Sequence, residues 1–207
     1  MQKTSFQLIL GSASPRRKEL LERTFLPFNI ITSDAPEVSD KTQPAEYVED
    51  LAKLKARDVF SKSPANSIVL GSDTVVSSEG RILEKPKDVN HAREVLKSLS
   101  GKAHEVYTGV CLVTKDKERV YSIKTSVRFA DIPDDLLELY LKTGDSLDKA
   151  GAYGIQGMGL CFIDSIDGSY SNVVGLPLSH TLREIESLVK EVNPEIDFFP
   201  LTVNYQE

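Results

Sequence analysis

The segment Ser12-Ala-Ser-Pro-Arg-Arg17 brings two hydroxyls and two guanidinium groups together, with Pro15 at the favoured first position of a helix. The first turn of a helix carries unpaired N–H groups and the positive end of the macrodipole, so cations are unfavourable there and anions welcome. Arg16 and Arg17 are out of place in that turn unless an anion is bound. With Ser12 and Ser14 they have the chemistry of a phosphate cradle, although no Walker-type glycine pattern is present. The plainer alternative is a serine-capped helix with solvated arginines, or a basic modification motif. Lys55 lies in the centre of an apolar stripe of Val48, Leu51, Ala52 and Val59 at helical spacing. It either snorkels past the core or reaches a cleft, where a compact ammonium neutralises phosphate well.

Asp73 follows the apolar run Ile68-Val-Leu70 and is expected at the end or edge of a core strand, where an unpaired carboxylate is costly. A divalent ion is a fitting partner, since Mg²⁺ takes one or two carboxylates together with phosphate oxygens. A turn or capping role is the other reading. Asp34 and Glu37, in an acidic loop, either complete a metal shell or are simply solvated. In Gly154-Ile-Gln-Gly157, Gln156 is held between glycines, where backbone can approach a ligand closely. Its amide offers a donor and an acceptor, which complement the N3–H and O4 of uracil or thymine; a loop-stabilising hydrogen bond is equally simple. Lys85, between Glu84 and Pro86, is uninformative from its placement alone. His104 is expected to be hydrogen-bonded in a strand and His91 to face solvent, and no serine, histidine and acid set is evident.

The elements that must position these groups follow from periodicity and turn chemistry. Strands are expected at 7–11, 28–32 and 68–70, the last leading into Gly71-Ser-Asp-Thr-Val-Val76 and a hairpin rooted at Asp73, with Ser78-Glu-Gly80 as its turn. Helices are expected from Pro15, from Pro44 to about Phe60, over 88–100 ahead of Gly101, from Pro133 to Gly144, and after Pro177. Further strands are expected at 106–114, 120–129 and 160–166, the last after a glycine-rich loop. Hairpins interspersed with helices predict an α/β fold with a mixed sheet, and no repeat or linker stands out.

A chain of 207 residues with 40% hydrophobic and 27% charged residues can bury a core as one domain or two close lobes. Its net charge of -6 argues against a broad footprint for duplex nucleic acid, so any polyanion site is local. Cys111 and Cys161 lie far apart in apolar stretches without metal-ligand spacing, and two buried thiols in a reducing compartment are the simplest expectation. Residues 1–10 are too short an apolar run for a signal segment or a membrane span, which predicts a cytoplasmic protein with no membrane partner.

Taken together, SASPRRKELL (12–21), LAKLKA (51–56), GSDTVV (71–76), LEKP (83–86), KAHEVYTGV (102–110), DKAGAYGIQG (148–157) and GSYSNVVGLPL (168–178) resemble the Maf family of nucleotide pyrophosphatases over nearly the whole chain. The resemblance implies a single domain over 1–207, with an elongated α/β fold of the inosine-triphosphatase-like type, a mixed sheet flanked by helices and two lobes around a cleft. It implies a homodimer and a nucleoside triphosphate substrate hydrolysed between its α and β phosphates. Ser12, Arg16, Arg17, Lys55, Asp73, Lys85 and Gln156 occupy the family's functional positions. Asp73 carries over as catalytic acid/base or metal-binding carboxylate, and Glu37 is similar to a loop residue that assists a divalent metal, Mg²⁺ or Mn²⁺. The branch acting on 7-methyl-GTP has tryptophan, glutamine and glutamate where this chain has Arg16, Thr74 and Gln156, so the chain resembles the dTTP/UTP branch, with Thr74 and Gln156 selecting the base. Thr24-Phe25 stands where a glycine commonly follows the first helix. A nucleotide-binding regulator and a nucleotidyltransferase are the rival classes, and turnover of dTTP without an acceptor separates them.

Overall fold

The computed structural model describes residues 6–192 and residue 194. The chain runs β1 (Gln7–Leu10), α1 (Pro15–Glu22), β2 (Phe28–Ile30), α2 (Pro44–Ser61), β3 (Ser67–Ser78), β4 (Arg81–Leu83), α3 (Val89–Leu99), β5 (Ala103–Val113) and β6 (Glu118–Phe129). It continues through α4 (Asp134–Lys142), two 3₁₀ turns at Ala150–Ala152 and Met158–Phe162, β7 (Ile163–Asp167), α5 (Tyr170–Val174) and α6 (Leu178–Val192). Among the described residues the strands form one seven-stranded sheet in the order β2-β1-β3-β5-β6-β7, with β4 folded back on β3. β1 is parallel to β2 and β3, and the other pairings are antiparallel, as a mixed α/β sheet requires.

Side chains alternate across the sheet. Ile9, Val69, Cys111 and Val113 pack on one face with Ala52, Ala56 and Val59 of α2. The opposite face carries two cores. Leu8, Leu10, Ile68, Leu70, Val110 and Leu112 pack with α1 and α6, while Val76, Val106, Val127 and Phe129 pack with α3 and α4. Between them along β3 and β5 come Ser72, Thr74 and Thr108, all polar. A polar strip thus separates two apolar bodies on strands they share.

The edge of β3 has a matching gap. β1 pairs with Ser67–Leu70 and β4 with Val76–Ser78, so among the described residues neither covers the same edge at 71–75. Crevices of this kind, where the chain leaves the carboxyl end of a parallel strand, are the usual ligand sites of α/β sheets.

Several expectations change. Asp73 lies well inside β3, not at its end, and the hairpin turns at Glu79-Gly80, both with positive φ. β3 continues through Gly71, which serves a close approach: a Cβ there would lie 2.5 Å from Ala52 O, and one at Gly109 2.2 Å from Val48 O. The two glycines let α2 lie against β3 and β5, which brings Lys55 onto Asp73. Cys111 is buried but Cys161 is exposed. In the tight 158–162 turn Gly159 and Phe162 are buried and Met158 packs partly against the core, while Leu160 and Cys161 face out and β7 begins at Ile163. Pro133 caps α4 from outside rather than opening it, and α5 forms where the sequence predicts no helix. Phe25 adopts φ +57°, the left-handed conformation that glycine takes without strain, which explains the type expected at that place.

His104 is 2% exposed, as a strand position should be, with Nε2 2.8 Å from the Tyr153 hydroxyl and its ring edge-on to Phe129. His91 is half-buried rather than solvent-facing, its Nδ1 accepting from the Lys87 N–H. Burial pulls the His104 imidazolium from 6.5 down to about 4. The unfolded chain therefore binds a proton the fold excludes as pH falls from 6.5 towards 4, and stability declines across that window by up to about 3 kcal/mol. Above pH 6.5 both states are neutral and the effect vanishes. Urea midpoints of His104→Gln against the parent chain check this: the parent should lose more stability between pH 7 and 5, and parallel curves would refute it.

Candidate active site

The cradle is built at the gap. The Gly11 N–H donates to Leu70 O at 2.8 Å and ends the pairing of β1 with β3, and the chain turns into α1. Ser14 caps α1, its Oγ accepting from the Arg17 N–H, while the Ser14 N–H donates to Ser12 Oγ at 3.2 Å. Pro15 occupies the first turn and no acidic residue balances it. Arg17 is held on three sides: Nε donates to Gly175 O at 2.8 Å, one terminal nitrogen to Ser12 Oγ at 3.2 Å and the other to Thr74 Oγ1 at 3.0 Å. Five N–H groups less three leaves two for a ligand. Burial pushes the Arg17 guanidinium below its ordinary value, with the charge of Asp73 acting in the opposite sense. A bound anion would favour the charged form further.

On the other face of β3, Lys55 Nζ lies 2.7 Å from Asp73 Oδ1 and 3.0 Å from Glu37 Oε2. The Lys55 and Asp73 side chains are each only 11% exposed, so the ammonium in the apolar stripe does not snorkel to solvent: it satisfies a buried carboxylate. Burial raises the Tyr47 phenol above its usual value, and the charges of Glu84, Asp73 and Glu37 raise it further, which marks this end of the cleft as rich in carboxylate. Asp73 and Glu37 therefore converge on one cationic point. Oxygen donors of that number suit Mg²⁺ or Mn²⁺, which take one or two carboxylates and complete their shell with phosphate oxygens and water. Among the described residues no group of three or more metal-ligating side chains forms an all-protein cage. Asp34 is turned away, bound by Lys62 Nζ at 2.8 Å.

The cleft encloses about 650 Å³ and is lined by every one of Ser12, Arg16, Arg17, Glu37, Lys55, Asp73, Thr74, Lys85 and Gln156. That volume accommodates a nucleotide-sized ligand. Lys85 and Gln156 are exposed within it, and Val76, Val106 and Tyr153 supply apolar wall. Arg16 reaches across to Asp148 Oδ2 at 3.2 Å, tying α1 to the loop that carries Gln156, and Lys149 holds Asp148 from the other side at 2.6 Å. Glu84, Tyr47, Asp148 and Lys149 escaped the sequence reading. Glu84 and Asp148 stand inside the LEKP and DKAGAYGIQG segments, which was the signal available; nothing marked Tyr47 apart from its place two turns before Lys55.

A family model described as Maf-like protein matches residues 7–188. The dTTP/UTP pyrophosphatase of Bacillus cytotoxicus is 46% identical over 181 residues, covering 87% of this chain and 94% of that one. A protein of the same name from Bacillus cereus is 45% identical over the same shares. A HAM1 protein from Coxiella burnetii is similar in structure at TM-score 0.47 and 13% identity, covering 90% of this chain and 100% of that one, a likeness too distant to carry an argument.

Proposed function

We infer from the cleft that this chain, which belongs to the Maf-like protein family, is a nucleoside triphosphate pyrophosphatase that converts dTTP and UTP to the monophosphate and pyrophosphate. The observation that carries the reading is the junction of a two-arginine cradle with a buried lysine–carboxylate pair across the stretch of β3 whose outer edge neither β1 nor β4 covers. The cradle suits a polyphosphate, and the carboxylate suits activation of water beside it.

In the proposed reaction Asp73 takes a proton from water as its oxygen bonds to the α-phosphorus. The bridging bond to the β-phosphate breaks, and its electron pair leaves with pyrophosphate. Lys55 donates to Asp73 and holds it oriented, while Arg16, Arg17 and Lys85 neutralise the triphosphate and the leaving group. Asp73 and Glu37 would hold a divalent cation, which when bound supplies further charge neutralisation and orients the phosphates. Gln156 reads the pyrimidine imide, donating to O4 and accepting from N3–H. The family resemblance further supports a cytoplasmic homodimer, for which the mass of the pure protein in solution is the check.

Pure protein incubated with dTTP and Mg²⁺ should release dTMP and pyrophosphate with no acceptor present. Binding without turnover would favour a regulator, and strict acceptor dependence a transferase. Gln156→Glu should lower kcat/KM for dTTP by about 100-fold, since a carboxylate repels O4 and leaves it without its donor. Relative use of guanine nucleotides should rise, because their edge offers two donors; an unchanged nucleotide profile would remove Gln156 from base reading.

A further inference from the structure

Thr74 and Thr108 are direct partners in the register of β3 and β5, and their hydroxyls are 3.0 Å apart. Either could donate from the distance alone, but the surroundings decide. Thr108 Oγ1 also lies 2.9 Å from Asn172 O, a carbonyl that can only accept. A hydroxyl has one proton, so Thr108 donates to Asn172 O and can only accept from Thr74. Thr74 then donates to Thr108 and turns its lone pairs towards Arg17, whose terminal nitrogen donates to it at 3.0 Å. The chain of hydrogen bonds has a single polarity, from Arg17 through Thr74 and Thr108 to Asn172.

Its far end is anchored. Asn172 is fully buried, its Nδ2 donating to Val106 O at 3.1 Å and to Thr125 Oγ1 at 3.0 Å. Three residues on, Gly175 O accepts both from Arg17 Nε and from Ser72 Oγ. The 172–175 segment therefore grips Arg17 twice, once directly and once through two threonines.

We propose that Thr108, which is fully buried, is a positioning residue for the reaction, setting the hydrogen-bond direction of Thr74 and through it the orientation of the Arg17 guanidinium. Thr74 is then not free to donate to a base, since its one proton is directed at Thr108. Its influence on substrate choice passes through Arg17. The inference rests on the pyrophosphatase reading for its assay.

Thr108→Val keeps the shape and removes the hydroxyl, freeing the Thr74 proton to turn towards Arg17, where it competes with the guanidinium donor. Turnover of dTTP should fall about tenfold in kcat with KM within about twofold, the loss expected of one orienting hydrogen bond. Thr108→Ser should restore the parent value. In the Thr74→Val background, Thr108→Val should cost little more, because the chain is already cut. Parent kcat in Thr108→Val, equal loss in the serine variant, or additive losses in the double variant would each overturn the proposal. Should valine prevent folding, Thr108→Ala compared with Thr108→Ser gives the same contrast. Absence of dTTP turnover in the parent protein would instead overturn the pyrophosphatase reading.

Discussion

Asp73→Asn is expected to lower kcat for dTTP by about a thousandfold or more, the scale of losing a general base together with its charge at the reacting centre. Folding should be almost untouched. Asparagine has the same shape, its carbonyl still accepts from Lys55, and Lys55 keeps Glu37 at 3.0 Å. Melting temperature and dTTP turnover, measured on the same sample, make the check. Near-parental hydrolysis would remove Asp73 from the chemistry, and a collapse of stability would make the carboxylate mainly structural.

Lys55→Met should fail in both respects. The stem fits the apolar stripe of α2, but the substitution leaves Asp73, 11% exposed, beside Glu37 without the ammonium that pairs with both. Removing one partner of a buried pair costs about 3 kcal/mol, which for a chain of this size lowers the melting temperature by roughly 9 °C. Catalysis should fall with it, by about 100-fold, since Asp73 loses its orienting donor. Two comparisons make the cause visible. Lys55→Met/Asp73→Asn should be more stable than Lys55→Met alone, because the stranded charge is gone. Mg²⁺ should raise the melting temperature of Lys55→Met more than that of the double variant, since only the former keeps both carboxylates. A single variant that melts like the parent would show that the pair constrains nothing.

These expectations bear on how far the site was legible. Arg16 and Arg17 were visible because cations in a first helical turn contradict the helix dipole, and Lys55 because a charge interrupts an apolar stripe. Each is a local rule broken, and in the structure each lines the cleft. The place of Asp73 is less legible for the complementary reason. The strand expected at 68–70 runs on through Gly71 and Asp73 to Ser78, and the missing Cβ of Gly71 admits the backbone of α2, which is distant in the chain. Cys161 lies in an apolar run that predicts a buried strand, but the 3₁₀ turn formed there presents a different face and leaves it exposed.

The amino-acid sequence by itself determined most of the elements, the mixed α/β class and the residues whose chemistry conflicts with their local setting, because periodicity, caps and polar residues at apolar positions are written within a few residues of one another. Only the tertiary structure decided which of them meet. Lys55 and Asp73 are eighteen positions apart and come within 2.7 Å through a close helix-on-sheet approach, and Arg17 depends on Thr74, Thr108 and Gly175 from three other parts of the chain. Hydrogen-bond direction is settled by counting protons around fixed neighbours, and those neighbours exist only once the sheet has set its register.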